Sequence, residues 1–242
     1  SMIVFASSKN KIDSLGCSHT NFSLSKYNQT IVLSKGNVIM DTLSFGVMKG
    51  DVSIGIGGAN DSSKYYFVAP TPGSVNNTPK TRGVTSEVKF SEPSGDYSDA
   101  VSLTMSCTEK NVMIYYTLDG STPTTASNLY TSPISIAANT SVRAISYAEG
   151  KLTSDVTTAT YLINMEDNGL PVVFLTTDSD KLFNGGIYNN DLSDERKVDA
   201  NIELVETDGT GFNEDVLINK SGNMSALEVQ KSFGVYFKEY VG

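Results

Sequence analysis

The chain contains a single histidine, His19, and this limits the acid–base chemistry that its sequence can support. Serine and cysteine nucleophiles commonly rely on a histidine base, so no more than one such site could form. Ser-x-x-Lys occurs at residues 23–26 and 86–89, but the companion motifs of serine acylases do not accompany it. The residue types therefore favour a structural role for His19, and they favour a chance origin for both Ser-x-x-Lys patterns.

Acidic side chains and cysteines are the remaining candidates for binding a metal. The carboxylates that could pair or hold Ca²⁺ are Asp178, Asp180, Asp191, Asp194 and Glu195. None of them fits the calcium loop of EF-hands, and this favours helix capping and solvation instead. Cys17 and Cys107 are far apart in the sequence, and with one histidine they are too few for a usual zinc cage. We expect both cysteines to be free and mostly buried.

A glycine-rich run at residues 55–58 invites comparison with a phosphate-binding loop. It reads Gly-Ile-Gly-Gly, which departs from the Gly-x-Gly-x-x-Gly spacing, and no Lys-Ser or Lys-Thr pair comes directly after it as in a Walker-type loop. The sequence therefore predicts a turn or a β-bulge at this point.

Three tyrosines lie in or near a strand that ends in a tight turn. Residues 114–118 alternate with the period of a half-buried strand. Asp119-Gly120 supplies the turn, because Asp bonds its own backbone two residues on and Gly accepts a positive φ. Tyr115, Tyr116 and Tyr130 could stack on sugar rings, or they could pack into a β-sandwich core. The sequence leaves both interpretations open.

The composition predicts a mostly β protein. Tyr, Phe, Val, Ile, Thr and Ser are plentiful, whereas long runs of Ala, Leu, Glu and Lys are missing. No stretch reaches the roughly 18 apolar residues of a membrane span, so we expect no membrane insertion. The net charge is −9, and residues 164–242 hold six basic and fifteen acidic residues. This acidity argues against nucleic acid as a partner.

Proline, glycine and asparagine divide the chain into three segments, with a turn-rich stretch at residues 69–79 and a polar hinge at 164–169. Asp208-Gly209 predicts a hairpin, and residues 178–182 predict one helical turn with Asp178 as its N-cap. The strand-like runs are residues 3–6, 30–33, 38–40, 53–56, 65–68, 88–90, 101–106, 113–117, 140–147, 157–161, 170–177, 200–206, 212–218 and 232–237.

The middle segment, residues 83–163, resembles the C-terminal module of chitobiases and β-hexosaminidases. The matching residues are 115–124, 130–134 and 140–144, together with Gly150, Ser154 and Tyr161. The resemblance implies an immunoglobulin- or fibronectin-like β-sandwich that accompanies catalytic domains without being catalytic itself.

The first segment, residues 1–78, resembles the later part of a bacterial lamin-tail domain, another immunoglobulin-like sandwich. The matching residues are Phe5, Ala6, Ser7, His19, Thr20, Asn21, Phe22, Leu24, Ser25, Asp41, Asp51, Ser53, Ile54, Gly55, Thr71, Pro72, Gly73 and Asn76. The early strands of that fold would precede Ile3, so we expect either a truncated domain or a neighbouring copy that covers the bare strand edge.

The third segment, residues 169–242, resembles the N-terminal part of a CotH-type spore-coat kinase domain. The matching residues are 170–173, 176–178, 182–183, 186–188, 195–196, 203–206, 208–209, 222–225 and 230–233, the last of which includes Lys231. The resemblance implies a truncated α+β kinase-like front lobe whose catalytic and metal-binding acids would lie beyond Gly242. It also implies that ATP and Mg²⁺ serve the full-length parent, while the fragment holds no cofactor.

Lys231 is the one cofactor-binding candidate that this resemblance supplies. A front-lobe lysine commonly neutralises nucleotide phosphates in kinase-like folds. A solvated strand lysine is an equally good interpretation of the same residue. We assign no catalytic residue and no metal ligand.

These observations together predict a mostly β fragment in which tandem immunoglobulin- or fibronectin-like sandwiches precede the kinase-like lobe. We expect a non-catalytic spacer or adhesion fragment of a multidomain bacterial protein, located outside the cell or on its surface. Its partner would be a surface protein or a polysaccharide. One alternative is part of an atypical protein kinase that uses ATP, and another is a carbohydrate-binding accessory module. The oligomeric state is left open.

Overall fold

The computed structural model describes residues 4–6, 9–12, 14, 16, 18–25, 27–50, 52–58, 61–165, 169–191, 193–222 and 229–237. Several residues used above lie outside this range, among them Ser7, Cys17, Lys26, Asp51, Met224 and Ser225. The described chain is mostly β, as the composition predicts, and its one α-helix is four residues long. No helix in this part of the chain is long and apolar enough to cross a membrane.

The chain divides into two compact units. The first comprises residues up to Val84 together with Glu149–Leu152, and the second comprises Thr85–Ala148 and Thr153–Lys238.

The described residues of the first unit form three small sheets. Its strands are β1 (Val4–Phe5), β2 (Ser18–His19), β3 (Tyr27–Lys35), β4 (Val38–Val47), β5 (Ser53–Gly58), β6 (Asp61–Phe67) and β7 (Lys80–Thr81). Strands β1 and β2 pair in parallel, β3 and β4 form an antiparallel hairpin, and β5, β6 and β7 form an antiparallel sheet. The β3–β4 hairpin exposes apolar side chains along its length, with Val38 63% and Ile39 64% exposed.

The second unit begins with nine strands that we call the middle module. These are β8 (Lys89–Phe90), β9 (Gly95–Tyr97), β10 (Val101–Leu103), β11 (Met105–Ser106), β12 (Met113–Thr117), β13 (Asn128–Leu129), β14 (Ile134–Ile136), β15 (Thr140–Tyr147) and β16 (Thr157–Ile163). One five-stranded sheet has the order β13-β12-β15-β16-β9, and two small sheets pair β10 with β14 and β11 with β8. All three sheets contribute to one apolar core, which includes Leu103, Val142 and Tyr161. This is the arrangement of a β-sandwich.

The rest of the second unit is an antiparallel four-stranded sheet that we call the meander. It comprises β17 (Val172–Thr176), helix α1 (Ser179–Leu182), β18 (Val198–Val205), β19 (Gly211–Ser221) and β20 (Ser232–Phe237). The strands follow one another in the sheet in chain order. Its own apolar core is small and contains Ile187, Ala200, Val216 and Ile218.

Strands β15 and β16 are buried on both faces, which explains how the two parts of this unit meet. Val142 and Ala159 face the sandwich core, as alternation along a strand requires. Arg143, Thr158 and Thr160 alternate with them and would face solvent in an isolated sandwich, yet all three are buried. The meander covers this polar face of the five-stranded sheet.

Several predicted boundaries are confirmed, and others are corrected. Strands β12, β15 and β20 have the predicted bounds, and the hairpin at Asp208-Gly209 joins β18 to β19. The single run predicted at residues 101–106 is two strands. The run at residues 55–58 lies in β5, where the strand register shifts between Ile56 and Gly58, in keeping with the predicted turn or β-bulge.

Candidate functional site

A buried carboxylate lies where the meander meets the middle module. Glu203 in β18 is 1% exposed. Its carboxylate accepts hydrogen bonds from Thr160 Oγ1 at 2.7 Å, from Asn213 Nδ2 at 3.1 Å and from Ser94 Oγ. Because a buried carboxylate is costly unless donors surround it, these three neutral partners make Glu203 tenable at this position.

Further hydroxyl and amide groups extend this contact along the sheets. Ser141 Oγ lies 3.0 Å from Thr176 Oγ1 and 3.2 Å from Thr160 Oγ1. Asn213 Nδ2 also donates to the Thr158 carbonyl at 2.9 Å. We call the contact the polar seam, defined by Ser94, Ser141 and Thr160 of the middle module and Thr176, Glu203 and Asn213 of the meander.

The turn after β12 contacts the meander as well. Asp119 Oδ1 accepts from the Ser121 N–H at 3.0 Å, and Gly120 has φ +78°, as the sequence predicts. Thr122 donates from its backbone N–H and from Oγ1, the latter at 3.0 Å, to the carboxylate of Asp178. A Cβ at position 120 would lie 3.2 Å from the Thr177 carbonyl oxygen, so the turn fits closely against the start of α1.

Arg143, in strand β15 of the five-stranded sheet, stabilises the same turn through hydrogen bonds. It is 6% exposed, and its guanidinium donates to the Gly120 carbonyl at 3.0 Å and to Thr122 Oγ1 at 3.3 Å. Burial lowers the pKa of Arg143, while the acidic groups of Asp178, Asp215 and Asp199 act in the opposite sense. The Arg143 guanidinium therefore lies close enough to the acidic groups of the meander to interact with them.

Asp178 links this turn to the helix that follows it. Burial raises the pKa of its carboxyl, but hydrogen bonds from Lys181 and Thr122 outweigh that effect and leave the pKa below its usual value. Lys181 Nζ lies 3.0 Å from Asp178 Oδ2. Asp178 does occupy the N-cap position of α1, but its side chain makes no capping bond, because Thr122 and Lys181 engage it instead.

An open groove lies beside the polar seam. Its volume is about 570 Å³, and its lining combines Phe90, Glu92 and Pro93 from the middle module with Thr210 and Phe212 from the β18–β19 hairpin. Glu203, Asn213 and Thr158 line it too. The Thr158 hydroxyl is buried and has no hydrogen-bond partner among the described residues. None of the described residues that line the groove is basic.

Lys231 lies elsewhere, just before β20. Its Nζ donates to Asn190 Oδ1 at 2.8 Å and lies 5.3 Å from the centre of the Tyr188 ring. It is not among the residues that line the groove. Its predicted contact with a nucleotide stays a prediction.

A buried lysine beside the loop at residues 189–191 was not predicted from the sequence. Lys220 in β19 is 7% exposed, and its Nζ donates to the Asn189 carbonyl at 3.1 Å, to Asn189 Oδ1 at 3.0 Å and to the Asp191 carbonyl. The loop before β18 is thereby held against β19. A lysine in an alternating strand gives no sequence signal of such a role, since a solvated face has the same pattern.

The candidate metal ligands are engaged in local contacts. Asp194 pairs with Arg196 at 2.7 Å, and the hydrogen bonds from Arg196 hold the pKa of its carboxyl well below the usual range. Asp191 accepts from Ser193, which likewise lowers the pKa of Asp191. Within the described ranges, no group of three acidic, histidine or cysteine side chains is placed to hold a metal ion.

The remaining candidates have structural surroundings. Tyr116 and Tyr130 pack against the sandwich core, whereas the Tyr115 hydroxyl donates to the Met113 sulfur at 3.5 Å. Ser86 contacts Glu109 rather than forming a pair with Lys89. Cys107 is a free thiol, as predicted, but it is half-buried rather than mostly buried. His19 lies in β2, where its backbone N–H donates to the Lys11 carbonyl at 2.8 Å.

Comparison with known families gives one finding for the middle module. The family model of the chitobiase/beta-hexosaminidase C-terminal domain matches residues 92–158, so this part of the chain is similar to that domain. The match includes the turn at Gly120 and the strand of Arg143, and it ends before Glu203. The curated proteins and the solved structures gave no match to the chain. The resemblances of the first and third segments stay predictions.

Proposed function

We propose that the chain is a non-catalytic accessory segment of a carbohydrate-associated protein at the cell surface or outside the cell. In this proposal the middle module is a rigid spacer that holds the meander in one position. The similarity of residues 92–158 to the chitobiase/beta-hexosaminidase C-terminal domain supports the accessory and carbohydrate-associated part. The partner would be a surface polysaccharide or a protein anchored in one.

The observation that carries the spacer role is the hydrogen bonding of Glu203. Tandem modules usually move relative to one another unless their interface is extensive. Here the carboxylate of Glu203, a residue of the meander, accepts from Ser94 and Thr160 of the middle module as well as from Asn213 of its own sheet. Moving the meander would take this carboxylate away from Ser94 and Thr160, and the loss of these hydrogen bonds to a carboxylate would cost about 1.5–3 kcal/mol each.

Spin-label distance measurements test this rigidity. With Cys17 and Cys107 replaced by Ser, labels at Ser102→Cys and Ser179→Cys report the separation of the middle module and the meander. We expect one narrow distance distribution, which broadens when Glu203→Ala and Asn213→Ala are combined. The matched control combines Asn128→Ala and Glu195→Ala, two exposed positions, and should leave the distribution narrow. A broad distribution in the starting protein would contradict the spacer role.

Titration with Mg-ATP tests the non-catalytic part of the proposal. The kinase-like resemblance would place Lys231 at a nucleotide, whereas its Nζ donates to Asn190 Oδ1. We expect no binding isotherm for the chain. Saturable Mg-ATP binding that Lys231→Ala abolishes would instead favour the kinase alternative.

A further inference from the structure

We propose that the groove between the middle module and the β18–β19 hairpin binds a neutral saccharide. The inference rests on the carbohydrate association proposed above, but it does not depend on the spacer role. It assigns the ligand to a surface that neither Lys231 nor the three tyrosines of the β12 region help to form.

The size and the walls of the groove suit a chain of sugar rings. A volume of about 570 Å³ is in the range of small-molecule sites. Phe212 on the hairpin is 40% exposed, and Phe90 lines the groove from the middle module. The faces of aromatic rings carry partial negative charge, so they attract the polarised C–H groups of a sugar ring.

The charge of the lining selects against anions. Glu92 and Glu203 both line the groove, and none of the described lining residues is basic. An anionic polymer would therefore meet carboxylates without a compensating cation. Hydroxyl groups, in contrast, can donate to carboxylate and carbonyl oxygens and accept from serine and threonine hydroxyls.

The groove is held in shape before any ligand arrives. Tyr161 donates to the Glu92 carbonyl at 2.9 Å, and the Ser91 N–H donates to the Thr104 carbonyl at 3.0 Å, so the segment before β9 is tied to the sandwich. On the opposite side, the Phe237 ring lies 5.9 Å from the Phe212 ring in an edge-on contact. A preformed site loses less conformational entropy on binding.

Nuclear magnetic resonance titration of the full chain tests this assignment. The probes are cellohexaose and maltohexaose as neutral saccharides, hexagalacturonate as an anionic saccharide, and hexalysine as a cationic peptide. We expect a neutral hexasaccharide to shift the amide signals of residues 90–92, 94 and 209–213, and hexagalacturonate to shift none of them. Phe212→Ala should weaken binding about tenfold.

Two further variants separate a binding role from a folding defect. Phe212→Tyr keeps the ring and should bind as the unmodified chain does, while Tyr115→Ala lies outside the groove and should have no effect. Binding that Tyr115→Ala abolishes and Phe212→Ala leaves intact would overturn the groove assignment while preserving carbohydrate association. Shifts with hexalysine alone, or no groove shifts with either neutral saccharide, would also overturn it, and the spin-label result would stand in each case.

Discussion

At the scale of single residues, Gly120 shows why a turn can depend on the lack of a side chain. Its φ of +78° is unfavourable for other residues, and an added Cβ would lie 3.2 Å from the Thr177 carbonyl oxygen and 3.5 Å from Thr176 Cγ2. The position therefore combines a backbone requirement with a packing requirement.

Replacing Gly120 by Ala should lower the free energy of unfolding by about 2–3 kcal/mol, of which about 1–2 kcal/mol comes from the left-handed backbone. Gly209→Ala is the matched control, because Gly209 has φ +79° and no atom within 4 Å of an added Cβ. The control should lose the backbone contribution alone. Urea denaturation measures both, and equal losses would argue against the contact with Thr177.

The carboxylate of Asp178 should make stability depend on pH in the acid range. Its folded-state pKa is lowered, so the stabilisation is present above the unfolded value of about 3.9 and is lost as the pH falls through the folded value. Asp178→Asn should cost about 1 kcal/mol at pH 7 and progressively less below pH 4, the reference pKa region for Asp.

Urea denaturation of both proteins between neutral and acid pH measures this convergence. Glu195→Gln removes an exposed acid from the same part of the chain, and its curve should run parallel to that of the unmodified chain. A constant gap between Asp178→Asn and the unmodified chain at every pH would show that the ion pair with Lys181 has no part in the effect.

At the scale of elements, several of the longer strands were predictable, and the short ones were not. The bounds of β12, β15 and β20 follow from runs of five to eight residues that are rich in β-branched and aromatic side chains. Strands β9, β13 and β14 are two or three residues long, too short to show a period. Their pairing depends on neighbours that are distant in sequence.

The candidate site was harder to predict than the strands for a related reason. Glu203 and Asn213 belong to alternating strands, where a polar residue normally indicates a solvated face. Their partners Ser94 and Thr160 are 109 and 43 positions from Glu203. Which polar residues meet in a buried contact depends on such long-range pairing, and local sequence patterns carry no information about it. The turn at Gly120 was predictable, but its contact with Asp178 was not.

The β3–β4 hairpin should exchange its backbone amides much faster than the strands of the second unit. A two-stranded ribbon is marginally stable in water, and this one leaves apolar side chains such as Val38 and Ile39 exposed. Hydrogen–deuterium exchange followed by mass spectrometry measures the difference. The β18–β19 hairpin, which is flanked by strands on both sides, is the internal control. Protection of β3–β4 equal to that of β15 would contradict this expectation.

At the scale of the whole molecule, charge and architecture divide the chain differently. The acidic residues concentrate in residues 164–242, whereas the compact unit that contains the meander begins at Thr85. Arg143 of the middle module is therefore buried beside a sheet that carries much of the negative charge. The acidity helps to explain why a buried arginine is tolerated at a position that would face water in an isolated sandwich.

The chemical character of the polar seam has a thermal consequence. Exposing apolar surface raises the heat capacity of a protein, whereas exposing hydroxyl, amide and carboxylate groups lowers it. Apolar cores consequently weaken on cooling, but a contact made through Ser141, Thr176 and Glu203 does not weaken for that reason. The joint between the middle module and the meander should thus keep its strength in the cold, where the cores on either side of it are losing theirs.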